Sequence, residues 1–353
     1  MSLPTAVTDD VRVHRSLAAR VLTGVGARHH VVDEVTRIGA ERVLLVATRS
    51  ASAAADELAT ELGGRLAARF DGPVVHTPVS VTAEAMELVA ARSVDAVVAV
   101  GGGSAVGLGK AVSARTGVPQ VAVPTTYAGS EVTPVLGETD EGVKTTRRDP
   151  ALAPGTVVYD PELTIAMPAG LTLTSALNAV AHAVEALWAP DAVAVTDALA
   201  TEAVGHLLDA LPDALEAPGD IHARSRLQSG AWLAGLCLAG TTMGLHHQLA
   251  HALGGTFDLP HAELHALLLA HVMEHNLPHA PSAAERLASC VDGDPVAVVA
   301  RLAGSHDGPT RLRDLGVPRE GLAGIVERVV ASPYPNPRPV DAASLGELLY
   351  RAW

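Results

Sequence analysis

AVVAVGGGSAVGLGK, residues 96–110, decides how the chain folds. Ala96 to Val100 is a run of small and β-branched apolar residues with the length and composition of a buried strand. Gly101-Gly102-Gly103-Ser104 breaks that run, and the Ala- and Lys-bearing segment from Ala105 to Arg115 can open a helix. Strand, glycine turn and helix in this order place backbone amides at a helix start. There they can cradle a phosphate, because glycine lets the chain approach closely and the helix dipole favours an anion. The spacing is not GxGxxG, so a plain tight turn in an α/β unit is the competing reading.

The same alternation extends outward from this stretch. Arg42 to Ala47 (RVLLVA) and Pro73 to Pro78 read as strands, and Ala51 to Leu62 and Ala83 to Arg92 read as helices. Alternating strands and helices predict a parallel sheet covered by helices. After Val157-Val158-Tyr159-Asp160-Pro161 the texture changes to Ala- and Leu-rich segments at helical spacing, such as Leu173 to Trp188 and Val195 to Leu211. Ala217 to Asp220 and Ser332 to Pro339 read as loops. A boundary near residue 160 follows, with an α/β part before it and an all-helical part after it.

Composition excludes several classes. With 353 residues, 48% hydrophobic and 18% charged, the chain is long enough for two cored domains and too apolar for disorder. Its net charge of −14, with no long basic run, argues against a nucleic-acid surface. Met1 to Asp10 lacks an apolar segment flanked by basic residues, and no uninterrupted apolar stretch is long enough to cross a bilayer, so the expectation is a soluble cytoplasmic protein. Cys237 and Cys290 form no CxxC pair and read as inert core residues.

Three further segments carry chemistry. Thr125-Thr126-Tyr127-Ala128-Gly129-Ser130-Glu131 groups hydroxyls beside a glycine, as loops facing a nucleotide or polar substrate do, or as an ordinary capped turn does. Lys144-Thr145-Thr146-Arg147-Arg148 is either an anion clamp or a solvated loop. Histidine is the main signal: of 16, eight lie between His246 and His279. His247 and His251 are four apart and share a helix face, and His261 follows Pro260 at a helix start, so this trio is read as functional. His246, His265, His271, His275 and His279 are read as structural or solvated. Upstream, Asn178 and His182 also share a face, but Asn offers a neutral oxygen where a divalent cation prefers a carboxylate.

GGGSAVGLGK, PTTYAGSEVTPVLGETDEGVKTT, VVYDPELT, LTSALNAVAHAVEALWAPDA, GAWLAGLCLAG and GLHHQLAHALGGTFDLPHAELHA, in this order, resemble the iron-containing alcohol dehydrogenase superfamily. Within it they look like the branch of reductases acting on maleylacetate. The resemblance implies a dehydroquinate synthase-like architecture: an α/β dinucleotide-binding domain over residues 1–160, an all-α substrate and catalytic domain over 161–353, a cleft between them, and a cytoplasmic homodimer. By the resemblance, Gly101, Gly102, Gly103 and Ser104 take the pyrophosphate and Thr125 and Thr126 line the adenine side. Lys144 lies near the ribose. Asn178, His182, His247 and His261 stand where relatives hold a metal, and His251 lies close to the nicotinamide.

The departure at Asn178 is similar to the pattern of reductases thought to work without a metal. The expectation is therefore metal-independent reduction, by NADH or NADPH, of the carbon–carbon double bond of maleylacetate to 3-oxoadipate. A metal-dependent alcohol or aldehyde dehydrogenase, or a relative acting on another enone or carbonyl, is the alternative. His251 and His247, with Tyr127 as a further donor, are the candidates for proton transfer and for stabilising the enolate. Lys144, Arg147, His182 and His261 are the candidates for a field that attracts a small dicarboxylate, with Asn178 beside them. Thr48 and Arg49 stand where an acidic residue would repel a 2′-phosphate, so NADPH is expected to be tolerated.

Overall fold

The computed structural model describes residues 19–332 and 334–353, with Lys144 described by its backbone alone. The reading of Met1 to Asp10 lies outside them. Eight strands are present among the described residues: β1 (Arg20–Thr23), β2 (Val43–Ala47), β3 (Leu66–Phe70), β4 (Ala96–Gly101), β5 (Gln120–Pro124), β6 (Val135–Asp140), β7 (Val143–Arg148) and β8 (Thr156–Tyr159). Six of them form one parallel sheet in the order β1-β8-β5-β4-β2-β3.

The central strands β2 and β4 are buried on both faces, which is why they read as unbroken apolar runs. Val43, Leu45 and Ala47 pack with α1 (Val31–Arg37) and α2 (Ser52–Leu62), whereas Leu44 and Val46 pack with α3 (Val79–Arg92) and α4 (Gly103–Thr116). Alternate residues of one strand thus serve opposite layers. From β2 the chain runs outward to β3 and then returns to β4 on the other side. The reversal leaves a crevice at the carboxyl ends of β2 and β4, where doubly wound sheets bind ligands.

The expected strand from Pro73 to Pro78 is absent. Two prolines supply no N–H to a ladder, and His76 and Thr77 take positive φ of 64° and 45°, so the segment turns; the third strand lies earlier, at Leu66–Phe70. Lys144 to Arg148, read above as an anion clamp or a solvated loop, lie on the second strand of an antiparallel hairpin spanning residues 135–148. Its two-residue connection, Glu141 and Gly142, has φ of 46° and 80°, the left-handed pair that suits strand twist.

After β8 the described chain is helical: α5 (Ala169–Leu187), α6 (Ala194–Glu216), α7 (Ile221–Gly240), α8 (Leu245–Phe257), α9 (His261–Asn276), α10 (Pro281–Ala288), α11 (Pro295–Ala303), α12 (Leu322–Ala331) and α13 (Ala342–Ala352). Helix α5 is the axis of this part, with every residue from Thr172 to Leu187 buried. Its alanines let α6, α7 and α9 pack closely around it in one core. A second core joins α8 and α9 to α12 and α13. This is the α/β dinucleotide-binding domain followed by an all-helical domain that the sequence predicts. None of the described helices is long and apolar enough to cross a membrane. Cys237 is buried and its thiol is pushed up to about 12 by that burial; Cys290 is half-buried.

Candidate active site

Three strand ends build the nucleotide side of the site. Thr48, following β2, donates its N–H to Val100 O at 3.1 Å, and Thr125, following β5, donates to Gly101 O at 3.1 Å. Gly101 has φ of 146°, and a Cβ there would sit 2.7 Å from the Thr48 side chain, so only glycine fits. Thr126 crowds Gly102 in the same way, at 3.0 Å from where its Cβ would be. Helix α4 opens at Gly103 directly behind this junction, with its first amides at the crevice. The structure therefore brings together Thr48, Gly101, Gly102, Gly103, Ser104, Thr125 and Thr126. Arg49 is exposed beside them.

The second half of the site is a cluster of six histidines from three helices. Helix α5 supplies His182, α8 supplies His246, His247 and His251, and α9 supplies His261 and His265. The His182 and His247 rings lie 5.2 Å apart, His247 and His265 4.9 Å, His246 and His265 4.8 Å, and His261 and His265 4.1 Å. His251 stands 6.2 Å from His247 and stacks against His261 at 6.3 Å. His182, His246, His247 and His265 are buried, whereas His251 and His261 are exposed.

Glu185, fully buried on α5, organises this cluster. Its carboxylate accepts N–H bonds from Gly244 at 3.1 Å, His246 at 2.9 Å and His247 at 3.3 Å, capping α8 from a neighbouring helix. It also meets His247 Nδ1 at 2.7 Å. An acceptor on Nδ1 places the proton there and leaves the lone pair on Nε2. Burial keeps the interior imidazoles neutral: His247 falls to about 3 and His246 to about 4, and His182 and His265 fall well below the usual histidine value, with neighbouring rings adding to the effect. His182 therefore adds no charge to a field for an anionic substrate, contrary to expectation.

The expectation of a site without metal is overturned by this cluster. One ring nitrogen from each of His246, His247 and His265 lies within 4.8 Å of the others. His246 Nδ1, His247 Nε2 and both nitrogens of His265 are buried without a hydrogen-bond partner, as are His182 Nδ1 and Asn178 Oδ1. Neutral imidazoles with unused lone pairs suit a borderline divalent cation such as zinc, iron or nickel. The metal-free reading rested on the missing carboxylate at Asn178, but this donor set draws on α8 and α9. His246 and His265, read from the sequence as structural, belong to it.

Other expected residues occupy different places. Tyr127 is fully buried in the helical core; its hydroxyl lies 3.2 Å from Thr164 Oγ1 and 3.4 Å from Arg224, and its N–H donates to Ser175 Oγ at 3.0 Å. It fastens its loop and offers no proton to a cleft. Arg147 is exposed on β7, and Arg148 reaches across to Ala239 O at the end of α7. Lys144 lies on β7 opposite Thr139. Glu185 was missed, although it stands three residues after His182 and seven after Asn178, on one face of one helix.

The two halves of the site meet through the loop after β5. Gly129 has φ of 75°, and a Cβ there would lie 3.2 Å from Gly235 Cα and 3.5 Å from His182 Nδ1. A single loop thus touches the glycine turn through Thr126 and the histidine centre through Gly129. The model of iron-containing alcohol dehydrogenases matches residues 18–161, and that of the C-terminal part of the Fe-containing alcohol dehydrogenase family matches residues 172–353. The chain belongs to the iron-containing alcohol dehydrogenase family. It is an NAD(P)H-dependent oxidoreductase with a small organic substrate. It is 43% identical over 341 residues to a maleylacetate reductase of Rhizobium sp. (strain MTP-10005), covering 97% of each chain. It is 44% identical over 336 residues to maleylacetate reductase 1 of Rhodococcus opacus, covering 95% of this chain and 94% of that one. The crystal structure of maleylacetate reductase from Agrobacterium tumefaciens superposes with a TM-score of 0.93 at 42% identity, covering 98% of both chains.

Proposed function

We propose that this member of the family reduces maleylacetate, or an enone or carbonyl acid of similar size, with NADH or NADPH, at a histidine centre able to hold a divalent cation. The observation that carries this reading is the loop from Thr125 to Ser130, which touches the glycine turn at Gly102 and the histidine centre at His182. A nucleotide on the first and a substrate at the second are thereby neighbours. The likeness to maleylacetate reductases over nearly the whole chain supports the substrate.

In this reading residues 1–160 bind the nucleotide and residues 161–353 shape the substrate site, with Asp160 at the junction fastened by Gly26, Arg28 and its own turn. Gly101, Gly102, Gly103 and Ser104 receive the pyrophosphate, with Thr48, Arg49, Thr125 and Thr126 around the rest of the nucleotide. A nicotinamide nucleotide held by these residues would supply hydride to the carbon β to the ketone. A cation on His246, His247 and His265 would supply Lewis acidity toward the substrate oxygen. The negative charge that develops at the ketone oxygen would be offset by a cation so held, while the surrounding imidazoles stay neutral. His251, exposed beside His247, is assigned the delivery of the proton to the adjacent carbon. His261, Lys144 and Arg147 are assigned to the substrate carboxylates, beside Asn178 and His182. The working unit is assigned as a cytoplasmic homodimer without nucleic-acid or membrane partners, in keeping with the net charge of −14.

The test is nucleotide oxidation with maleylacetate, using protein stripped of metal and then reconstituted with zinc, iron or nickel. The expected result is 3-oxoadipate formation that rises on reconstitution. A protein inert toward maleylacetate but active on alcohols or aldehydes with metal would instead make it a metal-dependent alcohol dehydrogenase, which the same histidine cluster favours.

A further inference from the structure

Lys110, on α4 two turns beyond the glycine turn, is fully buried. Its Nζ donates to Ser130 O at 2.6 Å, Thr133 O at 2.8 Å and Val135 O at 2.9 Å, and lies 3.1 Å from Thr133 Oγ1. An ammonium has three protons, and three carbonyls receive them. Apart from a single turn of 3-10 helix at Ser130–Val132, residues 125–134 have no regular structure, so side chains must satisfy their backbone. Among the described residues no carboxylate bonds directly to Lys110; the counter-charge that acts on it is Glu131, buried and hydrogen-bonded at 2.8 Å to the Tyr159 hydroxyl.

Burying a cation among carbonyls is costly unless the geometry it fixes is needed. The residues it fixes continue the loop that crowds Gly102 through Thr126 and abuts His182 through Gly129. We infer that Lys110 is a positioning residue for the reaction: its ammonium ties residues 130–135 to the phosphate-binding helix and so sets the spacing between nucleotide and histidine centre. This inference rests on the proposed binding of a nicotinamide nucleotide at the glycine turn. Burial lowers the Lys110 pKa to about 7, with Glu131 opposing that shift.

Lys110→Met keeps the volume and removes the three donors, so it is expected to fold and to raise the KM for NADH or NADPH about tenfold, the scale of one or two lost charge-assisted hydrogen bonds. Lys110→Ala leaves a space for a three-carbon amine, and propylammonium is expected to restore nucleotide affinity where propanol does not. Equal rescue by propanol would mean that Lys110 only fills volume, and an unchanged KM in Lys110→Met would overturn the inference outright. If neither variant folds, Thr133→Val, which removes one acceptor and leaves the cation in place, is expected to raise the same KM by a smaller factor; no change there would overturn it. Wild-type protein that binds no nucleotide would sink the parent reading and this one together. Wild type that binds, beside a Lys110→Met protein that binds equally well, would sink this one alone.

Discussion

His247 Nδ1 and Glu185 Oε2 lie 2.7 Å apart, both buried, in the midst of a cluster of six histidines. Burial pushes the Glu185 carboxyl upward, but bonds from the His246, His247 and Gly244 amides and the nearby His246 oppose this. These amides need an acceptor, and only the carboxylate accepts from all of them and from the ring at once. Glu185→Gln replaces one acceptor oxygen with a donor, freeing the His247 ring to turn. Zinc affinity is expected to fall about tenfold to a hundredfold, the usual effect of losing a partner that orients a ligand. A zinc titration against a chromophoric chelator measures it, and an unchanged affinity would remove Glu185 from the centre.

Asn178 gives the opposite case. Its Oδ1 is buried without a partner on the same helix face as His182. Asn178→Asp puts a charge where a cation can use it, so zinc affinity is expected to rise about tenfold or more. Without metal the same carboxylate is buried and uncompensated, so the thermal midpoint of the stripped protein is expected to drop. Melting curves with and without zinc therefore separate further in the variant than in the wild type. If the two gaps are equal, Asn178 does not face the cation.

The sheet and its glycine turn were legible because they are local: five apolar residues and three glycines carry their own geometry. His247 with His251, and His182 with Asn178, were legible from helical spacing, and His261 from the helix start that Pro260 marks. His246 and His265 were not. Adjacent residues of a helix point about 100° apart, so the sequence gives no sign that His246 and His247 both serve one centre. Only the packing of α8 against α9, which places His246 and His265 with their rings 4.8 Å apart, shows it. The 135–148 hairpin was hidden because its face is polar and its apolar alternation weak, and the Pro73–Pro78 segment misled because its valines outweighed its prolines.

In the proposed reading, cofactor choice turns on Thr48. Its side chain stands at the end of β2 against Gly101, and its hydroxyl meets Ser50 Oγ at 3.2 Å, with no acidic group in this turn. Thr48→Asp is close in volume and places a negative charge where a 2′-phosphate would come. The affinity for NADPH is expected to fall about tenfold or more, with NADH changed little. Fluorescence titration with each nucleotide checks this, and parallel losses for both would show that Thr48 acts through the turn and not through the ribose.

Glu34 gives the edge of the sheet a pH-dependent tie. It is buried on α1 and accepts from Arg20 on β1 at 2.8 Å and from Arg37 at 2.7 Å, while Arg37 also donates to Thr156 on β8 at 2.9 Å. This group clamps the edge strand, whose only strand partner among the described residues is β8, to the helix beneath it. Burial raises the Glu34 carboxyl, but the hydrogen bonds from Arg37 and Arg20 outweigh that and leave it below its ordinary 4.5. A carboxyl depressed in the folded state binds fewer protons there than in the unfolded chain, so its contribution is complete above the unfolded value and is lost as pH falls through the folded one. Glu34→Gln is expected to cost about 2 kcal/mol near neutral pH, with the partly exposed arginines holding the figure at the low end for charged hydrogen bonds. Urea melts of the two proteins should draw together as pH falls below 4.5 and through the depressed folded value, where the wild-type carboxyl gains its proton. A gap that stays constant from neutral pH to that point would mean that packing, and not charge, holds β1 in place.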